Sequence, residues 1–232
     1  MKEEAYITAN QVTYTYGKGK HKKGAPPFSL GPVNLELYQQ EITFVVGANG
    51  SGKSTLGKLL TGIYPPQRGQ VFIDGVNGKN LSLGQMGKKI GYLWQKPEMQ
   101  LFASTPLEEL AFIEELEGKP KETCVETALG WLSLFEIVHL KDAHTHTLSR
   151  GEKQRLALAA VMSRGAKFLI LDEPTKGLDG VRKAAFENLL LKIHRQEGTG
   201  MMMISHDKSF TDKLAERVIV LEGGGIAHDL RS

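Results

Sequence analysis

The chain has 232 residues, 41% of them hydrophobic, with 29 Lys and Arg against 26 Asp and Glu for a net charge of +3. That supports one large domain with a real interior, and the mild charge, without interleaved aromatics, excludes a nucleic-acid-binding module. A single cysteine, Cys124, excludes an internal disulfide framework, no apolar run nears the ~20 residues of a bilayer span, and Met1–Ala5 lacks the apolar core of a signal peptide, so a cytoplasmic chain is expected.

From the N-terminus, Ala5–Tyr16 alternates apolar and polar residues and Val33–Leu37 alternates again, which predicts strands of an antiparallel β patch. Between them Lys18–Lys23 is a tight basic cluster bounded by glycines and Pro26-Pro27, read as a solvated hairpin tip. The apolar run Ile42–Val46 then meets Gly47-Ala48-Asn49-Gly50-Ser51-Gly52-Lys53-Ser54-Thr55 and opens into Leu56–Leu60, the order strand, phosphate loop, helix. Glycines let backbone N–H groups turn inward around phosphates, Lys53 meets the β and γ oxygens, and the Ser54 hydroxyl reaches Mg²⁺. The positive end of the helix dipole adds to the same spot.

Val71–Ile73 before Asp74-Gly75 predicts a short strand and turn, followed by a middle region that is mostly helix. Gln95, after Gly91–Trp94, stands where the core gives way to those helices, and its amide is a candidate to reach metal or water. Helical spacing predicts helices over Leu107–Glu117 and Thr123–Phe135, with Cys124 as a packing residue in the second, and a third helix is expected over Arg150–Ser163. His144-Thr145-His146 offers too few ligands for a metal and is read as a loop. Phe168–Leu171 is an unbroken apolar run into Asp172, as expected of a central parallel strand lying beside the phosphate-loop strand. Asp172 is then placed to hold the Mg²⁺ shell and Glu173, pointing differently, to polarise an attacking water. A helix over Val181–Gln196 leads to a second buried strand, Met201–Ile204, and His206 just past its end can donate to a γ-phosphate. Arg217–Leu221 reads as the last strand, before a glycine turn. The fold class expected is α/β: a P-loop NTPase core (1–95 and 166–232) with a parallel sheet and an antiparallel β patch, interrupted by an inserted α-helical subdomain (96–165).

Leu148-Ser149-Arg150-Gly151-Glu152-Lys153-Gln154-Arg155 resembles the signature motif of the ABC-type ATPases. Thr175–Asp179 resembles that family's D-loop, Gln95 its Q-loop, His206 its switch histidine, and Tyr16 the aromatic that stacks on adenine. The family usually has glycine where this chain has Arg150 and glutamine where it has Glu152; Ser149 and Gly151, the expected donors to the γ-phosphate, are retained. The resemblance implies an ATPase using ATP and Mg²⁺, and a dimer in which nucleotide is held between the phosphate loop of one subunit and the signature motif of the other, an identical copy or a paralogue.

Gln95–Phe102, running on to Thr105–Phe112, is similar to the segment after the Q-loop in ATPases of energy-coupling factor importers for vitamins and for metal ions such as cobalt and nickel. In that group the segment meets a transmembrane partner, so the resemblance implies a peripheral subunit on the cytoplasmic face of the membrane, docking through Met99, Leu101 and Phe102. Many members of that group carry an extra C-terminal domain, which the end at Ser232 leads one not to expect here. The alternatives are a non-transport ABC ATPase acting in DNA repair or on ribosomes, which usually adds long coiled coils or a second ATPase domain, and a P-loop kinase, which would leave Leu148–Arg155 unexplained.

Overall fold

In the computed structural model, which describes residues 4–17 and 28–231, two sheets share one interior. The basic cluster Lys18–Lys23 lies outside the described residues. Strand β1 (Ile7–Thr15) pairs antiparallel with β2 (Ser29–Leu37), where Leu30, Val33, Leu35 and Leu37 are buried while Asn34 and Glu36 are exposed. That period of two is what a strand with one wet face requires. β3 (Ile42–Val46) runs into α1 (Lys53–Leu60), and β4 (Arg68–Ile73) returns to pair with β1 and with the short β5 (Val76–Asn77), giving a four-stranded sheet in the order β2-β1-β4-β5.

After the one-turn helix α2 (Leu83–Gly87) comes β6 (Ile90–Leu93), then three helices, α3 (Pro106–Leu116), α4 (Lys121–Leu134) and α5 (Arg150–Met162). β7 (Phe168–Asp172), α6 (Gly180–Glu197), β8 (Gly200–Ile204), α7 (Lys208–Leu214), β9 (Arg217–Glu222) and β10 (Gly225–Arg231) complete the chain. The second sheet has the order β10-β9-β3-β8-β7-β6, parallel except for the β9–β10 hairpin. Among the described residues no helix is long and apolar enough to cross a membrane.

Why β7 and β8 read as uninterrupted apolar runs follows from this topology. Leu169, Leu171, Met201 and Met203 join a core that includes α5, Phe186 of α6 and Phe210 of α7, whereas Ile170, Met202 and Ile204 join α1 and the antiparallel sheet on the opposite face. Both faces of these strands are buried, so neither can be polar. The expectation that the Asp172 strand lies beside the phosphate-loop strand is corrected: β8 stands between β7 and β3. The three strands are parallel, so their C-terminal ends still open on one edge and Asp172 reaches it from one place further along.

Five short elements, β5, α2, β6, α7 and β10, fall where the sequence reading predicts no separate element. β6 is the informative case, because Gly91 lies inside a buried strand where the sequence reading predicts none. A Cβ there would fall 2.0 Å from Val161 Cγ1 and 2.9 Å from Leu169 Cδ2, so the glycine is what lets α5 settle on β6.

Candidate nucleotide site

The C-terminal ends of β3, β7 and β8 and the end of β6 converge on a cleft of about 540 Å³. Of the residues singled out in the sequence, Tyr16, Asn49, Gly50, Gly52, Lys53, Ser54, Thr55, Gln95, Asp172, Glu173 and His206 line it. Gly47, Ala48 and Ser51 do not face the opening but build the loop beneath it: Lys53 Nζ donates to the carbonyl oxygens of Gly47 and Ala48, 2.8 Å in each case. Lys53 is buried, and burial lowers its pKa although the nearby Glu173 and Asp172 carboxylates act the other way. The Ser51 hydroxyl is also buried and has no hydrogen-bond partner. A cation folded onto its own loop and an orphaned hydroxyl at the foot of a strand–loop–helix turn fit a polyphosphate, whose oxygens accept from both.

Asp172 closes β7 and is almost fully buried; its Oδ2 accepts a 2.9 Å hydrogen bond from the Tyr92 hydroxyl. Burial first, then the Asp172 charge and hydrogen bond, push the Tyr92 phenol far above its ordinary value, so Tyr92 stays a neutral donor. Glu173 has φ +51°, a conformation rare outside glycine. Its N–H donates 2.9 Å to the Ile204 carbonyl, tying the end of β7 to the end of β8. That reversal lets consecutive carboxylates do different things, and Glu173 Oε1 ends 3.5 Å from His206 Nε2. Strained backbone of this kind concentrates at functional sites. No group of three or more His, Cys, Asp or Glu side chains able to hold a metal occurs among the described residues. Mg²⁺ does not need one, since it keeps waters and takes substrate phosphate oxygens beside one or two protein ligands, and Ser54 with Asp172 fits that donor set.

Tyr16 is fixed at the rim by its hydroxyl, 2.9 Å from Thr55 Oγ1, and by edge contacts to the rings of Tyr14 and Tyr64 at 5.1 and 6.0 Å. Lys176, from the segment that resembles the D-loop, also lines the cleft, as do Phe28 and Ile204, and Tyr92 supports it from β6; the sequence reading gave the last three no site role. Ile90–Leu93 is buried throughout, so no alternation along the sequence marks Tyr92.

Ser149 and Gly151 are not brought into the cleft. They line a separate hollow of about 150 Å³ with Glu152, Arg155, Leu178 and Arg182. Ser149 caps α5: its Oγ accepts from the Glu152 N–H at 3.4 Å, while the Glu152 carboxylate accepts from the Ser149 N–H at 2.7 Å. This reciprocal cap explains why glutamate serves at position 152. Burial opposes ionisation of Glu152, but the hydrogen bonds from Ser149 prevail and hold its pKa below the ordinary value.

Beyond the cleft, Met99 and Phe102 are 66% and 57% exposed, Phe102 standing edge-on to Phe112 at 4.6 Å, while Leu101 is half-buried.

This geometry is that of a phosphate-binding strand–loop–helix with an acidic pair on a nearby parallel strand, and the comparisons with known proteins agree. Residues 30–176 match the family described as ABC transporter. A putative ABC transporter ATP-binding protein of Methanosarcina acetivorans is 36% identical over 97% of this chain, which spans 35% of that relative's length. The energy-coupling factor transporter ATP-binding protein EcfA2 of Latilactobacillus sakei is 36% identical, over 95% of this chain and 77% of its own. Among solved structures CbiO1 of Clostridium perfringens, described as part of the ABC transporter complex CbiONQ, superposes with a TM-score of 0.85 at 27% identity, covering 99% of this chain and 89% of that one. The chain belongs to the ABC transporter family, as an ABC ATPase.

Proposed function

We propose that this chain binds and hydrolyses ATP as the peripheral subunit of an energy-coupling factor type importer for a vitamin or a transition-metal ion, on the cytoplasmic face of a membrane. The observation that carries the chemistry is the meeting of Lys53, Gln95, Asp172, Glu173 and His206 around one cleft from four different strand ends. Tyr16 stacks the adenine, and Gly47–Thr55 binds the phosphates. Ser54, Gln95 and Asp172 hold Mg²⁺, which when bound offsets phosphate charge. Glu173 takes a proton from the attacking water, and His206, beside it, donates to the γ-phosphate.

The division into a nucleotide-binding core (1–95 and 166–232) and a helical subdomain (96–165) belongs to the same reading, the subdomain offering the exposed Met99 and Phe102 to a transmembrane subunit. Similarity to EcfA2 and CbiO1 supports the importer class. Ser149 and Gly151 act on the nucleotide of a second ATPase subunit; their separation from the cleft of their own chain supports that. ATP then bridges two subunits, and its hydrolysis lets them part.

The test is nucleotide binding and product analysis on the purified chain. Free phosphate should be the product, with no phosphorylated acceptor. Lys53→Ala should abolish binding of a fluorescent ATP analogue, and undiminished affinity would remove the phosphate-loop assignment.

A further inference from the structure

We propose that Arg150, the residue standing where the family usually has glycine, is a positioning residue that straps the Gln95 backbone to the Thr175–Asp179 loop of the same subunit. The proposal rests on the reading above in assigning Gln95 to the nucleotide cleft. Arg150 is the first residue of α5, and its Nη2 donates to the Gln95 carbonyl oxygen at 3.2 Å. The other side of the strap is Gly177: a Cβ built there would lie 3.1 Å from Arg150 Nε and 3.2 Å from Cζ. Gly177 has φ +79°, so the same glycine makes the turn and leaves room for the guanidinium.

The loop around Gln95 is anchored elsewhere by its own neighbours. Gln100 accepts from the Trp94 N–H and donates to the Tyr92 carbonyl, 2.8 Å each, and the buried Glu109 carboxylate accepts from the N–H groups of Phe102 and Ala103 at 2.9 and 2.8 Å. Arg150 differs from both in arriving from the signature helix and reaching Gln95 itself. A guanidinium suits this place because its planar fork donates to a carbonyl while its body packs against a backbone, which an ammonium does less well and glycine not at all. The contact is exposed, so it can open and close at small cost. Movement of the segment carrying Met99 and Phe102 is thereby passed to the Thr175–Asp179 loop and to α6, whose N-cap is Asp179.

The chain has two tryptophans, Trp94 and Trp131, so Trp131→Phe leaves Trp94, next to Gln95, as the reporter. In that background Arg150→Met keeps the unbranched stem and helix propensity but removes the fork. We expect acrylamide quenching of Trp94 to rise, and kcat for ATP to fall about fivefold, the effect of losing one exposed charge-assisted hydrogen bond, with KM unchanged. Arg150→Lys should lie between the two. Gly177→Ala should raise quenching more when Arg150 is present than in the Arg150→Met protein, which keeps the stem but not the fork; the strain of alanine at positive φ is common to both and drops out of the comparison. Equal Trp94 quenching with Arg150 and with Arg150→Met, or equal Gly177→Ala effects in both, would overturn the strap. Should the parent protein fail to bind ATP, the nucleotide reading falls while the quenching comparison still decides the strap.

Discussion

At the scale of single residues the cleft sets two adjacent carboxylates to different tasks. Asp172 is immobilised by the Tyr92 hydroxyl, whereas Glu173 is turned by its positive φ toward His206. Glu173→Gln keeps shape and volume and removes only the base. We expect ATP affinity to persist and kcat to fall by about a hundredfold or more, the usual worth of a positioned general base. Single-turnover phosphate release measures it, and undiminished turnover at normal affinity would end the assignment. The phosphate-loop residues were legible in the sequence because consecutive residues make that site, and local spacing is all the motif needs. Tyr92 and Phe28 were not, since Phe28 reaches the cleft from just before β2 and Tyr92 supports it from β6 through Asp172, and nothing in their own neighbourhood marks them.

At the scale of elements, long periodic segments were legible and short ones were not. α3, α4, α5 and α6 lie within a few residues of their predicted spans because each is long enough to stand out, although α5 is buried in an unbroken run from Leu156 to Met162 rather than along a stripe. β6 and α7 have four and seven residues and owe their existence to neighbours. Gly91 makes the dependence testable: its φ does not need glycine, so Gly91→Ala adds only the clash with Val161 and Leu169. Overpacking there should cost about 2 kcal/mol in urea unfolding, and Val161→Ala in the same chain should recover part of it, the contact with Leu169 remaining. The β9–β10 hairpin offers a second case. Arg217, buried on β9, donates two 2.7 Å bonds to the Asp229 carboxylate and one of 2.7 Å to the Glu36 carbonyl, with Glu41 at 3.1 Å. The Arg217 hydrogen bonds hold the Asp229 pKa below its ordinary 3.8. A carboxylate whose folded pKa is lowered stabilises above the unfolded value, and that contribution fades as pH falls through the folded one. Asp229→Asn should therefore cost about 1.5 kcal/mol at pH 7, a low value for a charge-assisted bond because the side chain is partly exposed to screening solvent. The gap between the two proteins should close below about pH 3.8, as denaturant unfolding across that range would register.

At the scale of the whole molecule, the signature residues lie outside the cleft of their own chain, which the proposed function has them serve across a dimer. Ser149 and Gly151 line their own hollow, and the Ser149 N–H is already engaged by Glu152. Reach from another subunit resolves this, and mixing two inactive variants tests it. Lys53→Ala removes the cation proposed to bind phosphate; Gly151→Asp leaves the first turn of α5 well capped, where an acid is tolerated, but places a carboxylate where the proposed dimer brings a γ-phosphate. In a pair formed from one of each, one shared site has the intact Lys53 of one subunit and the intact Gly151 of the other, while the opposite site carries both defects. Random pairing of equal amounts makes about half the dimers mixed, so about a quarter of parental ATPase activity should return if the sites act independently. Each variant alone should stay inactive. Were the site complete within one chain, mixing two dead proteins would restore nothing, and the same null result with a chain that pairs only with a paralogue would be recognised by light scattering, which would then find no dimer of this chain at any ATP concentration.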